Sequence, residues 1–206
     1  MKKKILFLFF LISFTSFSKS TNSSKIIMIY YSLTGNTEKF ANYITEISDE
    51  ISSFKIEPKT PYPQDYNTML KIAQEEQSSN ARPEIKNALD NVNDYEIILL
   101  GYPIWYSHLP NIVINQLEKL DLNGKTIYPF NTHGSSGTGS SISDIKTFAK
   151  NVTVKDGFPI KAKDINDESS SMEKIKKWMK ENFDINNCIF KKINYYLFYL
   201  ICFLLL

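Results

Sequence analysis

Short apolar runs rich in β-branched residues alternate with amphipathic helical patterns along most of this chain. The clearest runs are KIIMIYYS, YEIILLG and KTIYPFNTH. Their near-continuous hydrophobicity is typical of strands that are buried on both faces of a sheet. After the first run, apolar residues recur at helical spacing at Phe40, Ile44 and Ile47. Such alternation predicts an α/β domain, in which a parallel sheet carries helices on both faces.

Weaker patterns complete the alternation. The stretch FKIEPKTPYP predicts an edge strand that ends at prolines. Residues 65–91 are highly charged and are predicted to be largely helical, with a break at Arg82 and a second helix beginning at Pro83. Glu75, Glu76 and Arg82 are interpreted as a solvated helix face with one ion pair. Further helices are predicted from Pro110 and near residues 142–149 and 170–182, and a last strand near residues 152–158.

The charge and cysteine content exclude some functional classes. The whole chain has a formal net charge of +2, and residues 1–18 contain three lysines and no acidic residue, so the remainder carries −1. This balance is not that of a nucleic-acid-binding protein. The cysteines, Cys188 and Cys202, lie near the C-terminus. The body of the chain can therefore form no internal disulfide, and redox chemistry there would need a bound cofactor.

The first eighteen residues have the layout of a secretory signal peptide. Three lysines precede an apolar run from Ile5 to about Phe17, and small residues follow at Ser16 and Ser18. We expect residues 1–18 to be cleaved and the protein to be exported, to a periplasmic or extracellular location. The alternative is an uncleaved membrane anchor, although the run is short of the roughly 20 residues that a spanning helix needs.

The C-terminal residues form a separate hydrophobic tail, residues 187–206. Its apolar stretch runs from Tyr195 to Leu206, which is also short for a membrane span. Two interpretations stay open: a segment that contacts a membrane, and an extension beyond the end of the domain. The domain itself is assigned to residues 25–182, between the signal peptide and this tail.

Three loops that follow predicted strands are rich in polar or aromatic side chains: residues 32–37, 103–109 and 132–139. In open parallel sheets, ligands bind in the crevice outside the carboxyl ends of the strands. The three loops would meet at that edge, so we expect the binding site there.

The first of these loops, SLTGNT, has the features of a phosphate site. It follows a strand and precedes a helix, so backbone N–H groups and the helix dipole would favour an anion. Ser32, Thr34 and Thr37 offer hydroxyl groups, and Gly35 allows an unusual backbone conformation. The loop lacks the lysine of a nucleoside-triphosphate site, so a phosphate monoester is expected. The alternative is a helix cap in which Thr34 or Asn36 bonds the first N–H groups.

The same residues resemble a known family. SLTGNT resembles the T/S-x-T-G-x-T loop that binds the FMN phosphate in flavodoxins. LLGYPIWYSHLP, YPFNTHGSSGTG and the ARPEI turn are similar, in order and spacing, to a bacterial branch of flavodoxin-like proteins. This resemblance spans about residues 25–182. It implies a doubly wound five-stranded sheet of order 2-1-3-4-5 and one noncovalently bound FMN. No metal site is predicted.

The resemblance also implies which residues contact the cofactor. The set joins the phosphate loop to the two loops that would surround the flavin ring: Ser32, Thr34, Gly35, Asn36, Thr37, Pro103, Ile104, Trp105, Tyr106, Thr132, His133, Gly134, Ser135 and Gly137.

Individual roles can be assigned within this set. Trp105 and Tyr106 are expected to stack on the flavin ring; the alternative is that Trp105 is a core or rim aromatic. Many relatives have glycine where Ser107 stands, and a serine makes reorientation of that peptide costlier. No catalytic residue is assigned, but His133 is a weak candidate proton donor to a substrate. The alternative is a loop histidine that bonds the backbone.

Two functions fit these features. The first is an electron-transfer protein that shuttles electrons between redox partner proteins or small electron acceptors. The second is an NAD(P)H-dependent FMN oxidoreductase of the quinone reductase type. The near-neutral body weakens the first slightly, because cytoplasmic flavodoxins are strongly acidic. Export weakens the second, because NAD(P)H is scarce outside the cytoplasm. A third hypothesis, a structural member without FMN, is disfavoured by the intact phosphate loop.

Overall fold

The computed structural model describes residues 25–87 and 89–183. Its elements follow one another as β1 (Ile26–Tyr30), α1 (Asn36–Ile47), β2 (Ser52–Lys55), α2 (Tyr66–Ser79), β3 (Ile97–Pro103), α3 (Asn111–Glu118), β4 (Thr126–His133), α4 (Ser141–Phe148), β5 (Thr153–Val154), β6 (Phe158–Lys161), a 3-10 turn (Asp164–Asn166) and α5 (Glu168–Asn182). Strands and helices alternate, as the sequence predicts.

The strands form one parallel sheet of order β2-β1-β3-β4-β5. β5 pairs with the first two residues of β4, and β6 pairs with its last four, also in parallel. These two short strands therefore share the fifth position of the sheet, where the sequence predicted a single strand. The predicted order 2-1-3-4-5 and the α/β class are confirmed.

Apolar side chains alternate between the two faces of the sheet and form a core on each side. On one face, Ile29 and Leu100 pack under α2, α3 and α4. On the other face, Met28 and Leu99 pack under α1 and α5. Because the central strands are covered on both faces, they are hydrophobic at successive positions rather than at alternate ones.

The second helix predicted from Pro83 is wrong. Residues 81–87 run as an extended chain along residues 57–59, with a bridge between Pro58 and Ile85. The amide of Lys59 donates to Glu84, and that of Lys86 donates to Glu57. These contacts between distant segments satisfy backbone groups that a helix would otherwise have paired locally.

Arg82 forms an ion pair, but its acidic partner lies outside the charged segment of residues 65–91. The Arg82 guanidinium donates to both carboxylate oxygens of Glu118 in α3, at 2.6 and 2.9 Å. The carboxylate of Glu76 is instead half-buried and accepts a hydrogen bond from the Tyr62 hydroxyl. Glu76 is thus part of a packed interface rather than of a solvated helix face.

Within residues 25–87 and 89–183, no helix is long and apolar enough to cross a membrane. The predicted signal peptide, residues 1–18, and the predicted tail, residues 187–206 with both cysteines, lie outside the described residues.

The centre of the sheet depends on the absence of a side chain at Gly101. A Cβ atom there would overlap the ring of Phe130 in the neighbouring strand β4. Phe130 in turn packs against Phe40 of α1, with ring centroids 4.7 Å apart.

We expect Gly101→Ala to lower the free energy of unfolding by about 1–3 kcal/mol, because overfilling a packed core forces neighbours out of their preferred positions. Urea unfolding measures the change. Gly134→Ala is the matched control, since a Cβ atom at Gly134 would meet nothing within 4 Å. Equal stability of the two variants would contradict the expectation.

Candidate functional site

The three predicted loops meet at the carboxyl edge of the sheet. A buried hydrogen bond of 2.8 Å joins the hydroxyl groups of Thr37, at the start of α1, and Thr132, near the end of β4. The Ile104 amide donates to the Thr132 carbonyl at 2.9 Å. The Ser140 amide donates to the Ser107 carbonyl at 2.6 Å. The predicted site residues therefore come from one connected edge of the fold.

The first loop leaves the N-terminus of α1 without a side-chain cap. Gly35 precedes the helix with a φ of +87°, and within residues 25–87 and 89–183 no side chain caps the first N–H groups. The side-chain NH2 group of Asn36 donates to the Thr34 hydroxyl oxygen at 3.2 Å, so this contact does not involve the backbone N–H groups of the helix. The helix-cap alternative therefore does not describe this loop. The uncapped N–H groups and the helix dipole favour an anion at this point.

The Ser32 hydroxyl supplies a second indication of a ligand. Its oxygen is buried and has no hydrogen-bond partner among the described residues. A buried polar group without a partner is costly, so natural proteins rarely keep one without a reason. Thr34 is exposed beside it, whereas Thr37 is buried and already bonded to Thr132. The Ser32 hydroxyl thus has no partner among the described residues, the Thr34 hydroxyl accepts from Asn36 but still has its O–H to donate, and Thr37 ties the loop to β4.

The second loop places its two aromatic side chains differently from the expectation. Trp105 is only 5% exposed and packs edge-on against Tyr31 and Tyr62, at centroid distances of 5.7 and 5.2 Å. Tyr106 is 43% exposed. Stacking of the Trp105 face on a ligand is therefore not supported, and the alternative of a core aromatic is favoured. Tyr106 is the aromatic side chain of this loop that is accessible from outside the fold.

A tight turn explains this arrangement. Trp105 and His108 exchange backbone hydrogen bonds of 3.1 and 2.8 Å across Tyr106 and Ser107. Both central residues have positive φ, +46° and +65°. Such a two-residue turn normally uses glycine or asparagine, because other side chains are strained in this conformation. The turn directs consecutive side chains apart, so Trp105 enters the core while Tyr106 faces outward.

Contacts that the sequence analysis missed hold this strained turn. Gln77 of α2 donates to the Trp105 carbonyl at 2.9 Å. Asp144 of α4 accepts from the Leu109 amide at 2.9 Å and lies 3.1 Å from the His108 ring nitrogen. These partners are more than twenty residues away from the loop, and no local pattern marks them. Together with the Ser140 amide, they fix the orientation of the peptides between Trp105 and Leu109.

The third loop is organised around His133. This ring is 7% exposed, and its Nδ1 accepts a hydrogen bond of 3.0 Å from the Gly137 amide. The neutral ring must then carry its proton on Nε2. Burial, followed by the charge of Lys161, lowers the pKa of His133, while Asp164 acts in the opposite direction. His133 therefore bonds the loop backbone, the arrangement of the alternative interpretation, and its lowered pKa favours the neutral ring at neutral pH.

The remaining predicted residues line the same edge. Pro103 and Ile104 are half-buried, and Gly134 and Ser135 are exposed. The Gly137 carbonyl accepts from the Asn131 side chain at 3.0 Å, while the side-chain oxygen of Asn131 is buried and has no partner in the described part of the chain. Within the described part of the chain, no group of three or more histidine, cysteine or acidic side chains could hold a metal ion.

A comparison with protein families matches residues 25–182 to the family described as Flavodoxin. The chain belongs to the flavodoxin family. The matched range includes all three loops at the carboxyl edge, so the family covers the candidate site as well as the fold.

Solved structures agree with this assignment. A protein from Bacteroides uniformis assigned to the flavoproteins is 28% identical, with a TM-score of 0.66, over 77% of this chain and 99% of its own. A second such protein, from Bacteroides eggerthii, is 29% identical with a TM-score of 0.61, over 73% and 98%. A flavoprotein from Lactobacillus acidophilus, solved in complex with FMN, shares the fold at 22% identity and a TM-score of 0.58, over 71% and 99%.

A comparison with proteins of curated function finds no match to this chain. The activity of this flavodoxin-family member must therefore be argued from its own residues.

The bond between His133 and Gly137 predicts a pH dependence. The unfolded chain takes up a proton on this histidine at about pH 6.5, whereas the folded protein resists it because the native pKa is lowered. This group's contribution to stability is therefore present above pH 6.5 and decreases as the pH falls below that value.

We expect wild type to lose more stability between pH 7.5 and 5 than His133→Gln, whose side-chain oxygen can still accept from Gly137. Urea unfolding at several pH values measures both slopes. An equal slope in the two proteins would contradict the expectation.

Proposed function

We propose that this domain binds one FMN noncovalently at the carboxyl edge of the sheet and serves in electron transfer. The observation that carries the proposal is the buried Ser32 hydroxyl, which has no partner among the described residues and lies in the loop before the uncapped start of α1. Membership of the flavodoxin family and the FMN in the Lactobacillus acidophilus structure support the choice of cofactor.

The chemistry of the loop fits a phosphate monoester. The ligand would be held by hydroxyl groups of Ser32 and Thr34 and by backbone N–H groups at the helix start, which donate to all sides of a small anion. The nearest lysines along α1 and β2 are already engaged: Lys55 bonds Glu38 at 2.6 Å, and Lys39 bonds Asn166 at 3.0 Å. Recognition would thus rest on neutral donors and the helix dipole.

The flavin ring would lie between the other two loops. Tyr106 offers an exposed aromatic face, and the half-buried Pro103 and Ile104 offer apolar surface beside it. Trp105 would not contact the ring face; it would support the turn by packing in the core beneath it. Gly134 and Ser135 would bring backbone donors close to the polar edge of the ring, on a loop whose shape His133 fixes through Gly137.

Bound FMN supplies redox chemistry, since a flavin exchanges electrons singly or in pairs. The protein's part is to hold the ring, exclude water from one side and leave an edge accessible to a redox partner protein or a small electron acceptor. The Nδ1 atom of His133 accepts a hydrogen bond from Gly137, and the lowered pKa of the ring favours its neutral form. A neutral imidazole is a poor proton donor for the reduction of a substrate. This favours the electron carrier over the NAD(P)H-dependent oxidoreductase.

The phosphate assignment predicts opposite effects of one substitution on affinity and on stability. Ser32→Ala should weaken FMN binding about 10- to 100-fold, because a hydrogen bond to a charged group is lost. The ligand-free protein should be no less stable, because the lost hydroxyl had no partner. Fluorescence titration and urea unfolding measure the two effects.

Riboflavin, which lacks the phosphate, is the control ligand. Its affinity should be the same for wild type and Ser32→Ala. Equal losses for FMN and riboflavin would indicate damage to the ring site instead, and unchanged FMN affinity would contradict the phosphate assignment. Failure of wild type to bind FMN at all would overturn the proposed function.

Reduction of the FMN complex separates the two candidate activities. An electron carrier should take up electrons in two resolved one-electron steps during anaerobic titration with dithionite, and it should react slowly with NADH or NADPH. Absorption spectroscopy follows both reactions. Rapid two-electron reduction by NAD(P)H would instead support the oxidoreductase.

A further inference from the structure

A cavity of about 250 Å³ lies between residues 60–63, α2 and the extended segment of residues 81–87. Its walls are mostly apolar and are formed by Pro61, Pro63, Ile72 and Pro83. None of the residues that line it belongs to the three loops of the candidate site. The volume is below the roughly 300–1,000 Å³ of pockets that hold drug-sized ligands, so an occupant would be small.

One carboxylate in the lining of this cavity has no cation beside it. Glu76 is half-buried, and it forms no ion pair with any lysine, arginine or histidine among the described residues. Its carboxylate accepts a hydrogen bond of 3.1 Å from the hydroxyl group of Tyr62, which also lines the cavity. Burial raises the pKa of Glu76, whereas this hydrogen bond acts in the opposite direction. The hydroxyl group satisfies one acceptor position of the carboxylate, but it does not neutralise the charge.

The basic residues that flank the cavity in the sequence are engaged by other carboxylates. Lys59 pairs with Glu84, the other acidic residue of the lining, and both side chains are exposed. Arg82 donates to both carboxylate oxygens of Glu118. The Lys59–Glu84 pair is neutral, so the lining keeps the negative charge of Glu76. A partly buried charge without a counterion costs free energy, which a bound cation would recover.

A hydroxyl group near Glu76 also lacks a partner. The Tyr31 ring packs against Tyr62 with centroids 6.0 Å apart. Its hydroxyl oxygen is buried and has no hydrogen-bond partner in the part of the chain that the structure describes. Burial, followed by the charge of Glu76, raises the pKa of Tyr31, so this hydroxyl lies within electrostatic reach of the carboxylate. The surroundings of Glu76 therefore combine an uncompensated charge with an unused acceptor.

We propose that this cavity binds a small primary alkylammonium ion. Its N–H groups would donate to the Glu76 carboxylate, and its alkyl chain would pack against the proline and isoleucine walls. A metal ion fits less well, because it would need several more oxygen ligands than these apolar walls supply. The same chemistry recognises a free amine and the lysine side chain of another polypeptide. This inference is independent of the proposed FMN binding, because the cavity shares no residue with that site.

The charge requirement can be tested with n-butylammonium and its uncharged counterpart n-butanol, added to the full chain without cofactor. NMR titration measures both affinities. Wild type should bind n-butylammonium more tightly than n-butanol. Glu76→Gln should weaken n-butylammonium binding about 10- to 100-fold, because a hydrogen bond between charged groups is lost. The glutamine oxygen can still accept from Tyr62, so the packing around it is preserved.

The matched control is Glu75→Gln, which makes the same charge change at the adjacent, exposed position of α2. It should lose less than about twofold in affinity, because solvent and salt screen an exposed charge outside the cavity. Equal losses in Glu75→Gln and Glu76→Gln, or no loss in either, would overturn the proposal. Equal affinity of wild type for n-butylammonium and n-butanol would overturn it as well.

The location of binding is measured on wild type, so it does not depend on the folding of a variant. Signals of the Ile72 methyl groups and the Tyr62 ring should shift as n-butylammonium is added, and those of Ile145 in α4 should not. Shifts of similar size at Ile145, or none at Ile72, would contradict the assigned cavity. These results stay the same if the protein fails to bind FMN, so the two proposals fail separately.

A tripeptide with a central lysine and blocked ends distinguishes the two sources of the ammonium group. Affinity at least equal to that of n-butylammonium would assign the site to a lysine of another polypeptide. Weaker binding of the tripeptide would assign it to a free amine.

Discussion

The parallel register of three central strands is the constraint on which the candidate site depends. Tyr30 of β1 lies opposite Gly101 of β3, and Pro103 of β3 lies opposite Thr132 of β4. The strands end at nearly the same level, so the loops after them leave the sheet side by side. A one-residue slip of a strand would turn all its side chains to the opposite face and separate the hydroxyl groups of Thr37 and Thr132. The close approach of Gly101 and Phe130 opposes such a slip, because no other residue of β3 leaves room for that ring.

Local patterns predicted the parts of this structure that local forces determine. The β-branched runs, the helical spacing after Thr37 and the glycine before α1 each have their own physical reason, and each is found where expected. The segment after Pro83 was not predictable in this way. It has the composition of a helix, but it bonds the chain at Glu57 and Lys59, and propensity alone does not include such a distant partner.

The directions of Trp105 and Tyr106 illustrate the same limit within the site. Both aromatic residues follow a strand, and the sequence gives no reason to separate them. The separation arises from a strained turn that Gln77 and Asp144 hold from two different helices. Sequence analysis could therefore find the loop and its chemistry, but the choice of which ring faces a ligand needed the three-dimensional contacts.

The site also concentrates features that lower the stability of the fold. Positive φ at Tyr106 and Ser107 costs free energy in the ligand-free protein. So do the Ser32 hydroxyl and the Asn131 side-chain oxygen, which are buried and have no partner among the described residues. They lie in or beside the loops at one edge, whereas the two cores below them are well packed. A rigid sheet that carries strained, polar loops has its donors oriented before a ligand arrives. Binding of the proposed cofactor would then require little further ordering, and the free energy lost in the loops would be recovered as affinity and specificity.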